Sequence, residues 1–202
     1  MEVGTDMGRA PEFLLWLHLG VSLWMASPFV YFLTAGAKTF NIPAGDSGAV
    51  LGQLSFVSGM ACVLGLGFYQ ALVWYQLLCG AVLALCSVVL YEWTRRTVID
   101  RNFYTALGGE VPAAVCRSGP YKFVRHPFYL SYVIAFLGLV AAFPSLATGF
   151  VCLLNIGLFL YMAFDDERVL LLSPLAADYQ AYRLRTGMLL PRLGRSRKIP
   201  QR

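Results

Sequence analysis

Uncharged apolar runs alternate with charged segments along this chain, and the runs are long enough to form membrane-spanning helices. The first run covers residues 13–37, and the second covers residues 48–91 without a single charged side chain. At 1.5 Å per residue the second run would form a helix of roughly 66 Å, about twice the ~30 Å hydrocarbon core of a bilayer. We therefore expect two helices joined by a turn within residues 69–76.

A third uncharged run, residues 128–164, is interrupted by Pro144 and Ser145, which predicts two further helices, the first of them short. The pattern thus predicts an all-α integral membrane protein with five transmembrane helices in a single domain, residues 1–202. Its parts are three N-terminal spans (13–91), a polar segment (92–127), two more spans (128–164) and a charged tail (165–202).

Composition agrees with this interpretation. The chain is 58% hydrophobic and 13% charged, whereas an average soluble domain is about 25% charged. This shortage of charge excludes a nucleic-acid-binding module, a disordered chain and a disulfide-stapled secreted domain, and makes the lipid bilayer the expected partner. The five cysteines have no metal-type spacing and the two histidines are too few for a histidine-based site, so no metal is expected.

The basic residues predict the orientation. Of the 16 lysines and arginines, 14 lie in two segments. Six are in the polar segment 92–127, and eight are in the charged tail 165–202. Two spans separate these segments, so both lie on one face, which the positive-inside rule assigns to the cytoplasm. The N-terminus is then outside and the C-terminus cytoplasmic. The membrane would be a bacterial inner membrane or the endoplasmic reticulum, and the sequence leaves the oligomeric state open.

Two polar clusters on the predicted cytoplasmic face are candidates for chemistry. In the first, Gly119-Pro120 indicates a turn, and Arg125-His126-Pro127 precedes the fourth span. Proline suits the first turn of a helix, where unpaired backbone N–H groups can receive oxygens of a ligand.

The second cluster is Asp165-Asp166-Glu167, followed by Arg168, at the end of the fifth span. Three acids beside the bilayer favour a cationic or hydroxyl-rich ligand. Further on, Tyr179 and Tyr182 share one face of a predicted amphipathic helix, which we expect to lie along the membrane surface.

Taken together, these motifs resemble the isoprenylcysteine carboxyl methyltransferase family and the broader group of phospholipid methyltransferases. The resemblance rests on Gly-Pro-Tyr-x-x-x-Arg-His-Pro-x-Tyr at residues 119–129, the acids, and Tyr-x-x-Tyr at residues 179–182. It implies an integral membrane enzyme that transfers a methyl group from S-adenosylmethionine to a lipophilic or small acceptor, with the cofactor site facing the cytoplasm.

The resemblance also implies roles for single residues. Those that match cofactor-lining positions are Val115, Cys116, Tyr121, His126, Pro127, Phe128, Tyr129 and Glu167. A sulfonium cation is favoured beside carboxylates and tyrosine faces. Candidate catalytic residues are Arg125, His126, Asp166 and Glu167, and candidate substrate contacts are Arg168, Tyr179 and Tyr182.

The chain departs from the family pattern near the acids. Aligned without a gap, Glu167 matches the family's cofactor acid, and with one inserted residue the pair Asp166-Glu167 does. The carboxyl methyltransferases carry an arginine one turn before the acids, where this chain has Ala163. Arg168, Arg125 or Arg117 would then have to hold an acceptor carboxylate, whereas an amine or thiol acceptor would need a base such as His126 or one of the acids.

Two other functions remain open at this stage. A membrane reductase of related architecture that uses NADPH shares part of the motif. A non-catalytic membrane scaffold or a transporter would fit the spans, although no charged side chain lies in the two long runs at 48–91 and 128–164 to support ion transport.

Overall fold

Helices form nearly all of the described structure in a computed structural model of the chain, which describes residues 9–39, 47–67, 73–99 and 114–192. The α-helices in this part of the chain are α1 (Arg9–Thr39), α2 (Ser47–Gly67), α3 (Trp74–Ile99), α4 (Pro127–Ala142), α5 (Leu146–Leu171) and α6 (Ala176–Arg185). A short 3₁₀ turn, Gly119–Lys122, precedes α4. The predicted all-α architecture is confirmed for these residues.

Four of the described helices are long and apolar enough to cross a membrane. The segments are Trp16–Gly36, Ala49–Leu66, Trp74–Ile99 and Leu146–Leu171, and their length and composition agree with the predicted integral membrane protein. Helix α4 is apolar but has only 16 residues, or roughly 24 Å, which is shorter than a hydrocarbon core of ~30 Å. The fifth span therefore stays a prediction. The orientation of the chain in the membrane stays a prediction as well.

The helix ends follow from local sequence. Pro127 occupies the first turn of α4, as predicted. The break at Pro144 and Ser145 is also confirmed, because Ser145 caps α5: its hydroxyl accepts a hydrogen bond from the Thr148 N–H at 3.1 Å, and the Thr148 hydroxyl accepts one from the Ser145 N–H at 3.0 Å. The turn expected within residues 69–76 falls between α2 and α3, and residues 68–72 lie outside the described part of the chain.

Two helices continue further than the uncharged runs predicted. Helix α3 extends to Ile99, through Glu92, because Glu92 forms ion pairs of 2.7 Å with both Arg95 and Arg96 along the helix surface. Helix α5 extends through the acids to Leu171. The acids therefore lie within the penultimate turns of a helix rather than at its very end, where the helix dipole would oppose them most.

Packing between helices depends on small residues and on a cluster of aromatic rings. A Cβ atom added at Gly80 of α3 would lie 2.6 Å from Ala142 Cβ and 2.9 Å from the Gly138 carbonyl oxygen of α4, so these backbones approach closely. Beside this contact the buried rings of five helices meet below the start of α4. The cluster consists of Phe29, Phe32, Phe56, Tyr91, Phe128, Tyr132, Phe136 and Phe159.

Replacing Gly80 by alanine should lower the free energy of unfolding, because the new methyl group overlaps the backbone of α4. Overpacking of this kind costs about 1–3 kcal/mol. Gly65→Ala is the matched control, since nothing lies within 4 Å of its added Cβ and alanine favours a helix. Thermal unfolding in detergent measures both variants. Equal midpoints for the two would contradict the close α3–α4 contact.

Candidate functional site

The turn before α4 is held against the end of α3. Gly119 has φ of +54°, a conformation that glycine adopts without strain, and a Cβ atom there would collide with the Thr97 side chain of α3. The predicted Gly119-Pro120 turn is therefore confirmed, and its glycine is needed twice, for the backbone angle and for the space. Tyr121, the next residue, is buried.

The backbone after this turn pairs with a segment that follows α6. Val124 and Gly187 form a parallel bridge. The N–H of Arg125 donates to the Gly187 carbonyl oxygen at 2.8 Å, and the N–H of His126 donates to that of Met188 at 3.1 Å. We call residues 186–188 the strap. It fixes the position of Arg125 and His126 just before α4 begins.

Glu167 of α5 is the centre of the site. Only 2% of this residue is exposed, and its Oε1 accepts a hydrogen bond from Arg125 Nε at 2.7 Å and lies 3.3 Å from His126 Nε2. Its Oε2 lies 3.0 Å from Arg183 Nε of α6. Arg125 also donates to the backbone oxygens of Thr186 and Arg183. The segment before α4 and helix α6 thus converge on one buried carboxylate of α5.

His126 and Tyr129 connect this carboxylate with its neighbour Asp166. His126 is the N-cap residue of α4, but its side chain makes no capping hydrogen bond and instead faces Glu167. Its ring stacks on that of Tyr129 with centroids 5.6 Å apart. The Tyr129 hydroxyl donates to Asp166 Oδ2 at 2.8 Å. Both acids favoured by the two alignments therefore lie beside the Arg-His-Pro motif.

Helix α6 turns its tyrosines toward the protein. Tyr179 and Tyr182 are buried, and the Tyr182 hydroxyl donates to the Tyr121 carbonyl oxygen at 2.7 Å. Burial first, and then the negative charge of Glu167, raises the pKa of Tyr179. Burial likewise raises the pKa of Tyr121 well above its usual range, so both hydroxyls keep their protons to a higher pH than an exposed tyrosine does. The tyrosine face of α6 therefore packs on the site, and the placement of this helix along the membrane surface stays a prediction.

The other predicted residues divide into two groups. Pro127 is buried at the start of α4, and the buried Phe128 joins the aromatic cluster, its ring centroid 5.1 Å from that of Tyr91. Val115 and Cys116 are half-buried at the edge of the site, where Cys116 Sγ lies 3.5 Å from the Ser118 hydroxyl.

Two arginines were expected to hold an acceptor carboxylate. Arg117 instead forms an ion pair with a residue of α6, and Arg168 is exposed. Arg117 pairs with Asp178 and lies 6.0 Å from the centroid of the Tyr182 ring. Arg168 borders a groove beside Glu167 but forms no ion pair with a described residue. Ala163, which replaces an arginine of the resembling family, is fully buried.

Sequence reasoning missed Arg183 and the strap. Arg183 stands directly after the Tyr-x-x-Tyr motif, and an arginine in an amphipathic helix ordinarily indicates a solvated face. Its contact with Glu167 depends on how α6 folds back across α5, which no spacing along the chain reveals. The strap binds through its backbone oxygens, so its side chains do not indicate the contact either.

A model of the phospholipid methyltransferase family matches residues 75–171 of the chain, just under half of its length. The matched region begins at the start of α3, includes the Arg-His-Pro motif and ends with the last residue of α5. No curated protein and no solved structure matches the chain.

Replacing Glu167 by glutamine should destabilise the fold strongly, because it leaves the buried Arg125 guanidinium without its counter-charge. Breaking a buried ion pair in this way costs about 3–5 kcal/mol. The matched control is Asp178→Asn, which breaks the exposed pair with Arg117, a contact worth about 0–1 kcal/mol. Chemical unfolding in detergent measures both variants. A loss for Glu167→Gln no larger than that for Asp178→Asn would contradict the central role of Glu167.

Proposed function

We propose that this chain, a membrane protein whose residues 75–171 match the phospholipid methyltransferase family, transfers a methyl group from S-adenosylmethionine to a lipophilic or small acceptor. The observation that supports this most is the convergence of Arg125, His126 and Glu167 in one buried cluster at the start of α4. The family resemblance makes His126 and Glu167 cofactor-lining residues and makes Arg125 a candidate catalytic residue.

The charges in the cluster suit a zwitterionic ligand. Two carboxylates, Asp166 and Glu167, lie beside two guanidinium groups, Arg125 and Arg183. Carboxylates favour an ammonium or sulfonium cation and accept hydrogen bonds from ribose hydroxyls, whereas guanidinium groups favour a carboxylate. The amino-acid part of S-adenosylmethionine carries both charges, and its sulfonium adds a third.

Two buried polar atoms support a ligand at this position. Glu167 Oε2 has the ion-pair contact with Arg183 but no well-formed hydrogen bond, and the Tyr179 hydroxyl, which faces the Glu167 carboxylate, forms no well-formed hydrogen bond either. A buried polar atom that lacks a partner altogether costs about 1–3 kcal/mol. A ligand that supplies a donor to Glu167 and an acceptor to Tyr179 would improve the contacts of both groups.

When bound, S-adenosylmethionine supplies an electrophilic methyl group, to which the acceptor's electron pair bonds as the carbon–sulfur bond breaks. The work of the protein is then mainly to hold the two reactants in line. A carboxylate acceptor needs no base, whereas an amine or thiol acceptor gives up a proton, for which His126, beside Glu167, is the nearest candidate.

Binding of labelled S-adenosylmethionine to the purified protein in detergent tests the cofactor. We expect His126→Ala and Glu167→Gln each to abolish binding. Tyr129→Phe keeps the ring but removes the hydroxyl that holds Asp166, and should weaken binding by about tenfold or more, since a hydrogen bond to a charged group is worth about 1.5–3 kcal/mol. Arg96→Gln, a charge loss at the end of α3 away from the cluster, is the control and should bind like the wild type.

Two results would contradict the proposal. One is binding of S-adenosylmethionine like that of the wild type in all three site variants. The other is thermal stabilisation of the wild type by NADPH but not by S-adenosylmethionine, because a ligand of the folded state raises stability by mass action. If S-adenosylmethionine does bind, transfer of its label to extracted membrane lipids or to small prenylated thiols would identify the acceptor class.

A further inference from the structure

A polar pocket lies between the turn before α4 and the last turn of α6. It has a volume of about 320 Å³, within the range of about 300–1,000 Å³ that is usual for small-molecule sites. The charged residues in its wall are Arg117, Lys122, Asp178 and Arg185. None of them lies in a candidate membrane span, so the pocket is not part of a lipid-facing surface of those helices.

We propose that this pocket binds a phosphate group, carried either by a soluble phosphate monoester or by a lipid head group. Lys122 and Arg185 supply the positive charges, and the Thr186 hydroxyl supplies a further donor. The proposal does not depend on the proposed function, because neither His126 nor Glu167 lines the pocket.

The charge of the pocket favours an anion. Three of its four charged wall residues are basic, and the one acid, Asp178, already forms an ion pair with Arg117. Lys122 and Arg185 are exposed and form no ion pair with a described residue. Two positive charges therefore remain for a ligand, which matches the charge of about −1.5 to −2 that a phosphate monoester carries at pH 7.

Helix electrostatics account for only one of these two cations. Arg185 is the last residue of α6, where the negative end of the helix dipole favours a positive charge. Lys122 belongs to another segment, the 3₁₀ turn before α4. The hydrogen bond of 2.7 Å from the Tyr182 hydroxyl to the Tyr121 carbonyl oxygen holds the two segments together. The convergence of both cations on one pocket therefore results from the fold and not from the needs of one helix end.

Thr186 adds a hydroxyl group whose backbone is already fixed. The residue is only 5% exposed and borders the pocket. Its N–H donates to the Tyr182 carbonyl oxygen at 3.1 Å, and its own carbonyl oxygen accepts a hydrogen bond from Arg125. Its hydroxyl forms no hydrogen bond with a described residue. Arginine, lysine and threonine side chains are among the usual donors to phosphate oxygens, so this set suits a phosphate group.

Stabilisation by glycerol 3-phosphate tests this proposal, measured as a saturable rise in the unfolding temperature of the full chain in a non-ionic detergent at constant ionic strength. We expect a clear rise for the wild type. The concentration at half effect should be about tenfold or more higher for Lys122→Gln and for Arg185→Gln, because each variant loses one charge-assisted hydrogen bond. Arg185→Lys keeps the charge and should lose less than Arg185→Gln. Arg96→Gln, which removes an exposed arginine of α3, is the control and should respond like the wild type.

A second probe with the same head group identifies the source of the phosphate. Dihexanoyl phosphatidic acid is glycerol 3-phosphate with two short acyl chains. A half-effect concentration at least tenfold lower for this lipid would support a lipid head group as the ligand, whereas equal concentrations would support a soluble monoester. In both cases the effect must depend on Lys122 and Arg185.

Three results would overturn the proposal. One is the lack of a saturable rise with both probes. Another is a wild-type response of both Lys122→Gln and Arg185→Gln, which would exclude this pocket. The third is a loss for Arg96→Gln as large as that for Arg185→Gln, which would indicate a general effect of surface charge. Labelled S-adenosylmethionine binding by the same preparations separates the two proposals, since its absence would contradict the methyltransferase and not the phosphate pocket.

Discussion

The packing around the start of α4 depends on the burial of one carboxylate, that of Glu167. A buried charge is costly unless it is paired and hydrogen-bonded, and the groups that pair with it come from the segment before α4 and from α6. The chain must therefore bring three distant segments together to bury this charge at all. The strap serves the same requirement, because its hydrogen bonds to the backbone N–H groups of Arg125 and His126 fix both residues beside Glu167.

The short length of α4 gives this carboxylate its place at the edge of the apolar region. Helices α3 and α5 each have 26 residues, whereas α4 has 16. The start of α4 meets α5 at Asp166 and Glu167, one turn before α5 ends, and the turn before α4 packs on Thr97 near the end of α3. The ends of both long helices thus flank the motif. The aromatic cluster below it, with Tyr132 and Phe159 at 5.2 Å between ring centroids, forms the floor.

The elements could be predicted from the sequence, and their contacts only in part. Uncharged runs and turn residues indicated the helices and the breaks near Gly119 and Pro144, because hydrophobicity and backbone conformation act locally. The same local reasoning ended α3 at Glu92, although the ion pairs of Glu92 with the next turn allow the helix to continue. The pairing of Arg125 with Glu167, 42 residues apart, followed from the family resemblance as a shared role and not as a contact. Nothing in the sequence indicated that the tyrosine face of α6 packs against the protein, since tyrosines suit a membrane surface and a protein core equally well.

The two arginines that pair with Glu167 differ in their exposure to solvent. The Arg125 side chain is only 9% exposed, whereas that of Arg183, which lies 3.0 Å from Glu167 Oε2, is 43% exposed. If Arg183 left the carboxylate, Arg125 would still balance its charge, so Glu167 would not become an unpaired buried ion. A ligand that donates a hydrogen bond to Oε2, as the proposed cofactor would, can therefore take the place of Arg183 at a small cost, whereas it cannot take the place of Arg125.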